Sequence, residues 1–543
     1  MRGAAESLRA FGAVFSNRSL RQLQLAGIGS TLGLWAYSVG MAVYAYDAGG
    51  ARAVGLIYGV RWGAAALCAP WLSLLPDRMS RRRVMIATDV ARGVLLGGMT
   101  ALAALDAPAF PVYALAVVAA IVSTMFQPAQ AALLPSLAST PDELTAANAV
   151  MNAVASVGMF AGPAIAGALL AVTGPSAIFG VTAASFLWSA LCVIRVPRDE
   201  PPRAAAHEPV GTALLAGFRA IAAVPALRVV VGLTSAQTIV AGAFEVLLVV
   251  VAFRFLAAGS SAVGWLNTAV GIGALLGVVA VAALAGRKRL AGDLGLGMLL
   301  WGVPLALVAA WANLGFALVC FAVIGLGNTL VDVAGMTLLQ RSADDEVLGR
   351  VFGVLESLIL GTIAVGSLIA PALVSLLGVE GALVAAGAFL PVLLVPMWPV
   401  LRRVDDAARV PTEPLALLRA ISIFAPLPPT VLERLASSAT EVRVPAAAAV
   451  FVQGDGGDRF YAIAEGEASV EIDGAATSTL RPGDFFGEIA LLRDVPRTAT
   501  IRAVGDLRLC ALERDAFIAA VTGYAPSHAA ADSIVAARLP AVT

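Results

Sequence analysis

Between residues 23 and 400 the chain alternates long apolar runs with short polar breaks. A helix needs about 20 apolar residues to cross a bilayer. Twelve stretches meet that length, the first at 23–46 and the last at 381–400, and a polar segment at 197–225 divides them six and six. The pattern predicts a mainly α membrane domain over 1–403, a twelve-helix bundle in two halves at about 18–196 and 226–403. Two six-helix halves around a long middle loop are what an internally repeated transporter shows.

After Pro399 the pattern changes. Residues 404–414 read as a polar linker. Apolar positions then recur at helical spacing to Ala439, broken by Pro426, Pro428 and Pro429. From Val442 to Leu512 short alternating runs such as Ala468–Ile472 are punctuated by Gly454, Gly466, Gly474 and Gly483. This predicts a compact β jelly roll, and Arg514–Val521 and Ser527–Leu539 predict flanking helices. The second domain covers 415–543.

Composition agrees. Of 543 residues 59% are hydrophobic and 13% charged, with a mean hydropathy of +0.87. Soluble domains carry about twice that charged fraction. From Glu413 on, 11 arginines face 16 acidic residues, and because the whole chain nets zero the membrane part carries the matching positive excess. An acidic tail argues against nucleic acid as a partner. Arginines such as Arg18, Arg21, Arg195, Arg341, Arg402 and Arg403 fall on one side of a twelve-span arrangement, and the other side offers little beyond Arg52 and Arg254. The positive-inside rule then puts both termini, and the tail, in the cytoplasm of a cell whose inner membrane holds the bundle. The first apolar stretch reads as an uncleaved span. Four cysteines and two isolated histidines, His207 and His528, form no metal motif, and no phosphate-binding Walker loop or nucleophile–base pair occurs, so neither an ATPase nor another enzyme is expected and no cofactor is implied.

The stretch Phe485 to Thr500 carries the clearest chemistry. Gly487-Glu488 opens a short apolar turn, and Arg497 follows nine residues after the Glu. A short helix there would aim amide dipoles at an anion, and arginine offers a fixed fork for a phosphate. A carboxylate suits a sugar hydroxyl. Together with Gly454-Asp455, Asp458 to Tyr461, Glu465 to Glu467 and Pro482 to Asp484, this stretch resembles the cyclic nucleotide-binding domain family. The resemblance implies that Glu488 binds the ribose 2′-hydroxyl and Arg497 the cyclic phosphate. Backbone N–H groups near Gly487, Ile489, Ala490 and Thr498 would complete the cradle. Thr498 is placed to reach a guanine amino group, but relatives with Thr here also take cAMP, so cAMP and cGMP both stay open. The other reading is a jelly roll that binds nothing, with Glu488 and Arg497 as a surface ion pair. Ala446-Ala447 stands where the family usually has a turn glycine. A lid over the base is expected from the last helix, with Ile534 and Leu539 as candidates for lid or core.

In the membrane part, Ser73 to Arg82 resembles the loop between helices two and three of the major facilitator superfamily, Gly-x-x-x-Asp-Arg-x-Gly-Arg-Arg, with Ser73 and Ser80 in place of the glycines. The resemblance implies a latch built from Asp77, Arg78, Arg81 and Arg82, with Asp77 capping helix eleven near Gly349 to Val351. Gly158, Gly162-Pro163 and Gly167 match the superfamily's antiporter motif, where small residues let helices approach closely. Phe126 to Ala129, Leu134-Pro135 and Ala147 to Ala149 are similar to its exporter branch. Charged residues inside spans default to functional roles. Asp89 and Arg92, one turn apart, read as a structural pair beside the latch. Asp332 and Glu356 read as gate salt bridges with Arg341 and Arg350 close in sequence. Glu245 has no basic neighbour on its own helix face. It either pairs across the halves with Arg61 or is a protonatable carboxylate that couples transport to protons.

The expectation is a secondary transporter in the lipid bilayer that exports a small organic molecule at the expense of a proton gradient, with a cyclic nucleotide as regulatory ligand. A transporter-like receptor, or a transporter with a purely structural tail, are the alternatives; nothing after Leu539 supplies an output domain for a receptor.

Overall fold

The computed structural model describes residues 14–72, 75–197, 199, 210–284, 290–343, 345–407 and 412–538. Two compact units emerge, Met1–Asp406 and Ala407–Thr543.

The first unit is a bundle of apolar helices. Ten stretches among the described residues are long and apolar enough to cross a membrane. Two of these are too long for one crossing. Arg18–Leu72 has 55 residues and Asp345–Ala407 has 63, roughly 80–95 Å of helix against a hydrocarbon core of about 30 Å. Each turns back at glycine: Gly49-Gly50, with φ +62 at Gly50, and Gly378, with φ +72. These left-handed backbones reverse direction within one or two residues. Ten stretches therefore make twelve crossings among the described residues.

The middle segment differs from the expected loop. Val210–Ala223 is a helix, because Leu214, Leu215, Phe218 and Ile221 repeat at helical spacing. An added side chain at its Gly217 would run into the Arg350 carbonyl and Val354, so this helix lies directly on the helix that begins at Asp345. The linker region is also more helical than expected. Asp345–Ala407 runs past residue 404, and the next helix starts at Thr412; residues 408–411 lie outside the described residues.

Among the described residues the second unit has eight strands: β1 (Thr440–Val444), β2 (Ala449–Phe451), β3 (Arg459–Glu465), β4 (Ala468–Ile472), β5 (Ala475–Leu480), β6 (Phe485–Phe486), β7 (Thr500–Ala503) and β8 (Leu507–Glu513). They form two four-stranded antiparallel sheets, ordered β1-β8-β3-β6 and β2-β7-β4-β5. Inward positions Ile463, Leu509, Ala511, Ala468, Ile501 and Ala503 fill the space between the sheets. A second core lies outside, where Thr412–Ala420, Pro429–Ser438, Arg514–Thr522 and Ala525–Arg538 cover the first sheet. Its centre is Phe460, stacked on Phe517 with centroids 4.8 Å apart and edge-on to Phe424 at 5.3 Å. Alternation along β3 sends Phe460 to one core and Tyr461 to the other. Ala447 takes φ +64 in the turn before β2, a left-handed backbone that a glycine would adopt without strain.

Candidate functional site

Between β6 and β7 the chain makes a tight turn into the helix Glu488–Arg493. Gly487 starts it at φ +91. An added Cβ there would lie 2.6 Å from Nη1 of Arg497 and 3.0 Å from the Arg459 carbonyl oxygen, so only glycine fits. The turn walls a cavity of about 350 Å3. All six residues expected from the sequence line it: Gly487, Glu488, Ile489, Ala490, Arg497 and Thr498. Apolar side chains of Val470, Ile472 and Leu480 form the opposite wall.

The two charged residues are buried, with Glu488 at 1% and Arg497 at 3% exposure. They do not pair with each other. Arg497 donates from Nη1 to the Gly487 carbonyl (3.1 Å) and from Nη2 to the Arg459 carbonyl (2.8 Å) and Asp458 Oδ1 (3.1 Å). Its guanidinium lies 4.1 Å from the ring centroid of Phe451. Glu488 Oε1 accepts from Arg538 Nη1 at 2.8 Å. One group on each is left over: Arg497 Nε and Glu488 Oε2 are buried without a hydrogen-bond partner among the described residues. Buried polar atoms are normally satisfied, and two orphans on residues that line a cavity point to a ligand. Burial pushes the Glu488 carboxyl above the usual glutamate range, with the Arg538 guanidinium pulling the other way.

Arg538 was not legible as a site residue. It ends the helix Ala525–Arg538, stacks 4.5 Å from the Phe485 ring and bonds the Phe485 carbonyl at 2.9 Å. With Ala537 it is what the last helix contributes to the pocket wall. Ile534 packs against the outer helical core, and Leu539 lies outside the described residues. Asp458, part of the Asp458–Tyr461 motif, holds Arg497 with its carboxylate.

A second cavity, of about 950 Å3, lies inside the helical bundle. It reaches from mid-bundle, at Tyr37, Arg61 and Trp62, to the arginine-rich end of the spans, at Pro70, Pro128, Gly349 and Arg350. Toward the other end the halves are in close contact. A Cβ on Gly55 would lie 2.6 Å from the Ser367 carbonyl oxygen, and one on Gly167 3.1 Å from Cα of Gly264. Gly158 and Gly162 face Thr31 and Trp35 of the first span, and Pro163 presents its carbonyl to Gly264. The glycine motif thus joins the fifth span both to its own half and to the other.

Asp89 and Arg92 form a buried ion pair. Ser189 donates to Asp89 at 2.6 Å, and Arg92 reaches Ser30 at 3.2 Å with the Phe186 ring centroid 4.2 Å away. The side chains of Asp77 and Arg78, and residue Ser73, lie outside the described residues. Arg81 and Arg82 meet a carboxylate that no sequence motif marks. Asp199 accepts from both backbone N–H groups, at 2.6 and 3.3 Å, and from Ser80 Oγ at 2.5 Å, which caps the helix Arg81–Ala104. The Arg82 side chain bonds the Ile194 carbonyl at 2.6 Å. Glu245 is met from the other half by Trp62 Nε1, at 3.0 Å, and not by an ion pair with Arg61 within the described residues. Asp332 accepts from Asn328 at 2.8 Å, and Glu356 faces the cavity.

A family profile described as transmembrane secretion effector matches residues 10–420. The chain belongs to this family of major facilitator superfamily transporters. The profile of the cyclic nucleotide-binding domain matches residues 441–524. This effector-family chain is 27% identical over 348 residues to the multidrug efflux pump Tap of Mycolicibacterium fortuitum, covering 61% of this chain and 84% of the pump. Its tail is 38% identical over 102 residues to a cAMP-dependent protein kinase regulatory subunit of Yarrowia lipolytica, covering 18% of this chain and 27% of the subunit. It is also 39% identical over 77 residues to a cGMP-dependent protein kinase of Caenorhabditis elegans, covering 14% of this chain and 10% of the kinase. The chain thus spans about a quarter of the regulatory subunits it matches and a tenth of the kinase. It is a multi-pass membrane protein of the major facilitator superfamily with a cyclic nucleotide-binding domain.

Proposed function

We propose that this transporter exports a small organic molecule across the inner membrane in exchange for protons, and that a cyclic nucleotide in the tail domain sets its inward/outward equilibrium. Both termini and the tail are cytoplasmic on this reading, as the arginine distribution favours. The protein moves its substrate and does not transform it. The observation that carries the nucleotide half is the pair of buried, unpartnered atoms, Glu488 Oε2 and Arg497 Nε, on one cavity wall. They match a ribose hydroxyl and an equatorial phosphate oxygen in chemistry. Ile489, Ala490 and Thr498 line the same wall and supply backbone donors. The relatives leave cAMP and cGMP equally open, and Thr498 fits either.

Asp89, Arg92, Arg81 and Arg82 would hold the arginine-rich end of the first half together, with Asp77 and Arg78 completing the latch, while Gly158, Gly162, Pro163 and Gly167 set the spacing of the halves. Glu245 is the coupling carboxylate: its bond to Trp62 spans the halves, so a change in its protonation acts on the contact that must break as they rock. The test is proteoliposome flux of a panel of fluorescent dyes, with and without each nucleotide on the tail side and with an imposed proton gradient. Flux that changes with nucleotide, and loses its proton dependence in Glu245→Gln, supports the reading. Flux indifferent to a nucleotide that measurably binds would sink the regulatory half.

A further inference from the structure

The cavity in the helical bundle contains a charge whose hydrogen bonds the protein leaves incomplete. Arg61 lines it, is 4% exposed, and has Nε and Nη1 without a hydrogen-bond partner among the described residues. Its guanidinium sits among three rings, 5.3 Å from the Tyr37 centroid, 4.9 Å from Tyr58 and 5.3 Å from Trp62. Ring faces attract a cation but accept no in-plane hydrogen bond from two N–H groups at once. Glu245, the carboxylate on the facing half, is bonded by the Trp62 indole and acts on Arg61 through space without bonding it. Arg92, on the same cavity wall, already has Asp89. Burying a charge with unmade hydrogen bonds is costly, and the cost falls when an anion supplies them.

Resting on the reading of this protein as an exporter, we infer that this cavity takes its substrate and that the substrate is an amphipathic organic anion, an aromatic or aliphatic body bearing a carboxylate or similar oxyanion, which Arg61 holds. The unpartnered Nε–H and Nη1–H lie on different edges of the guanidinium, so each offers one charge-assisted hydrogen bond to an oxyanion. Leu34, Ala65, Leu96 and Phe186 give the rest of the molecule an apolar wall. Glu356, on the second half, faces the same cavity. It disfavours a second negative group on the substrate and sets the rival prediction, a cationic substrate.

The test uses the purified full chain without nucleotide and three probes of equal ring system: 2-naphthoate, 2-naphthylmethylammonium and 2-methylnaphthalene. Binding is read as quenching of tryptophan fluorescence, Trp62 lying in the wall. Naphthoate should bind at least about tenfold more tightly than either comparison probe, the size expected of hydrogen bonds to a charged group. Arg61→Gln should remove the preference while leaving methylnaphthalene binding in place, and Arg61→Lys should retain part of it. Equal binding of acid and amine, or tighter binding of the amine, overturns the proposal, as does a preference unchanged in Arg61→Gln. The wild-type probe comparison stands even if a variant fails to fold. Because the assay involves neither nucleotide nor a gradient, its failure leaves regulated export standing, and a failure of regulation in flux leaves this result untouched.

Discussion

Arg497 in the barrel and Arg61 in the bundle are the same residue put to two uses. Both are buried, both lie against aromatic rings, and both keep an Nε without a partner among the described residues. Arg497 is fixed by two carbonyls and Asp458, so its free edge points one way. Arg61 lies among three rings, with the Tyr37 and Tyr58 hydroxyls and the Glu245 carboxylate near, and no backbone carbonyl or paired carboxylate holds its Nε or Nη1 among the described residues. The first arrangement suits one ligand of fixed geometry, because the orienting cost is met in folding. The second suits substrates that share a charge and differ in shape.

The largest expected effect breaks the fixed site. Arg497→Ala should weaken cyclic nucleotide binding to the full chain by about two orders of magnitude, since it deletes the phosphate partner and leaves Asp458 and two carbonyls unanswered. Titration with a fluorescent nucleotide analogue checks this, and basal dye flux should persist. Next, Gly167→Leu should stop transport by wedging the fifth span off Gly264 while nucleotide binding stays within about twofold, as dye flux and the same titration read out in parallel.

A smaller effect concerns pH. A 2′-hydroxyl donates to the ionised Glu488 carboxylate, whose pKa burial has raised. Nucleotide affinity should therefore fall as pH drops through that raised pKa, by up to about tenfold per unit, and Glu488→Gln should bind weakly at every pH without that slope. The empty domain has the opposite sign. This group's contribution to stability is fully present below the unfolded glutamate pKa and is lost as pH rises through the folded one. Thermal melts of nucleotide-free protein across pH read it out. Smallest is Ala447→Gly, which should stabilise the tail by up to about 1 kcal/mol by relieving the φ +64 backbone, seen as a melting temperature a few degrees higher.

The same contrast explains what could be read from the sequence. Gly487, Glu488 and Arg497 lie within eleven residues, on one turn and its following loop, so the pocket's chemistry is local. Arg538 is fifty residues away and reaches Glu488 only because the last helix crosses back over β6; nothing in its neighbourhood marks it. The twelve crossings followed from apolar length. Their partners did not, because similar apolar helices carry no record of which face meets which. Arg61 and Glu245 could be singled out as charges inside spans, but Trp62, one residue along, is the side chain that bridges. Asp199 was hidden for another reason: it accepts from the first N–H groups of a helix more than a hundred residues earlier, and a lone Asp in a polar stretch is ordinary.

The central claim is that nucleotide in the barrel changes the state of the bundle. Ser357, in the wall of the bundle cavity, can report it as Ser357→Cys in a Cys68→Ala background, through the rate of maleimide labelling in membranes. The account predicts a rate that changes at least severalfold on adding cAMP or cGMP, and no change when Arg497→Ala is also present. An unchanged rate with the barrel fully occupied would contradict it.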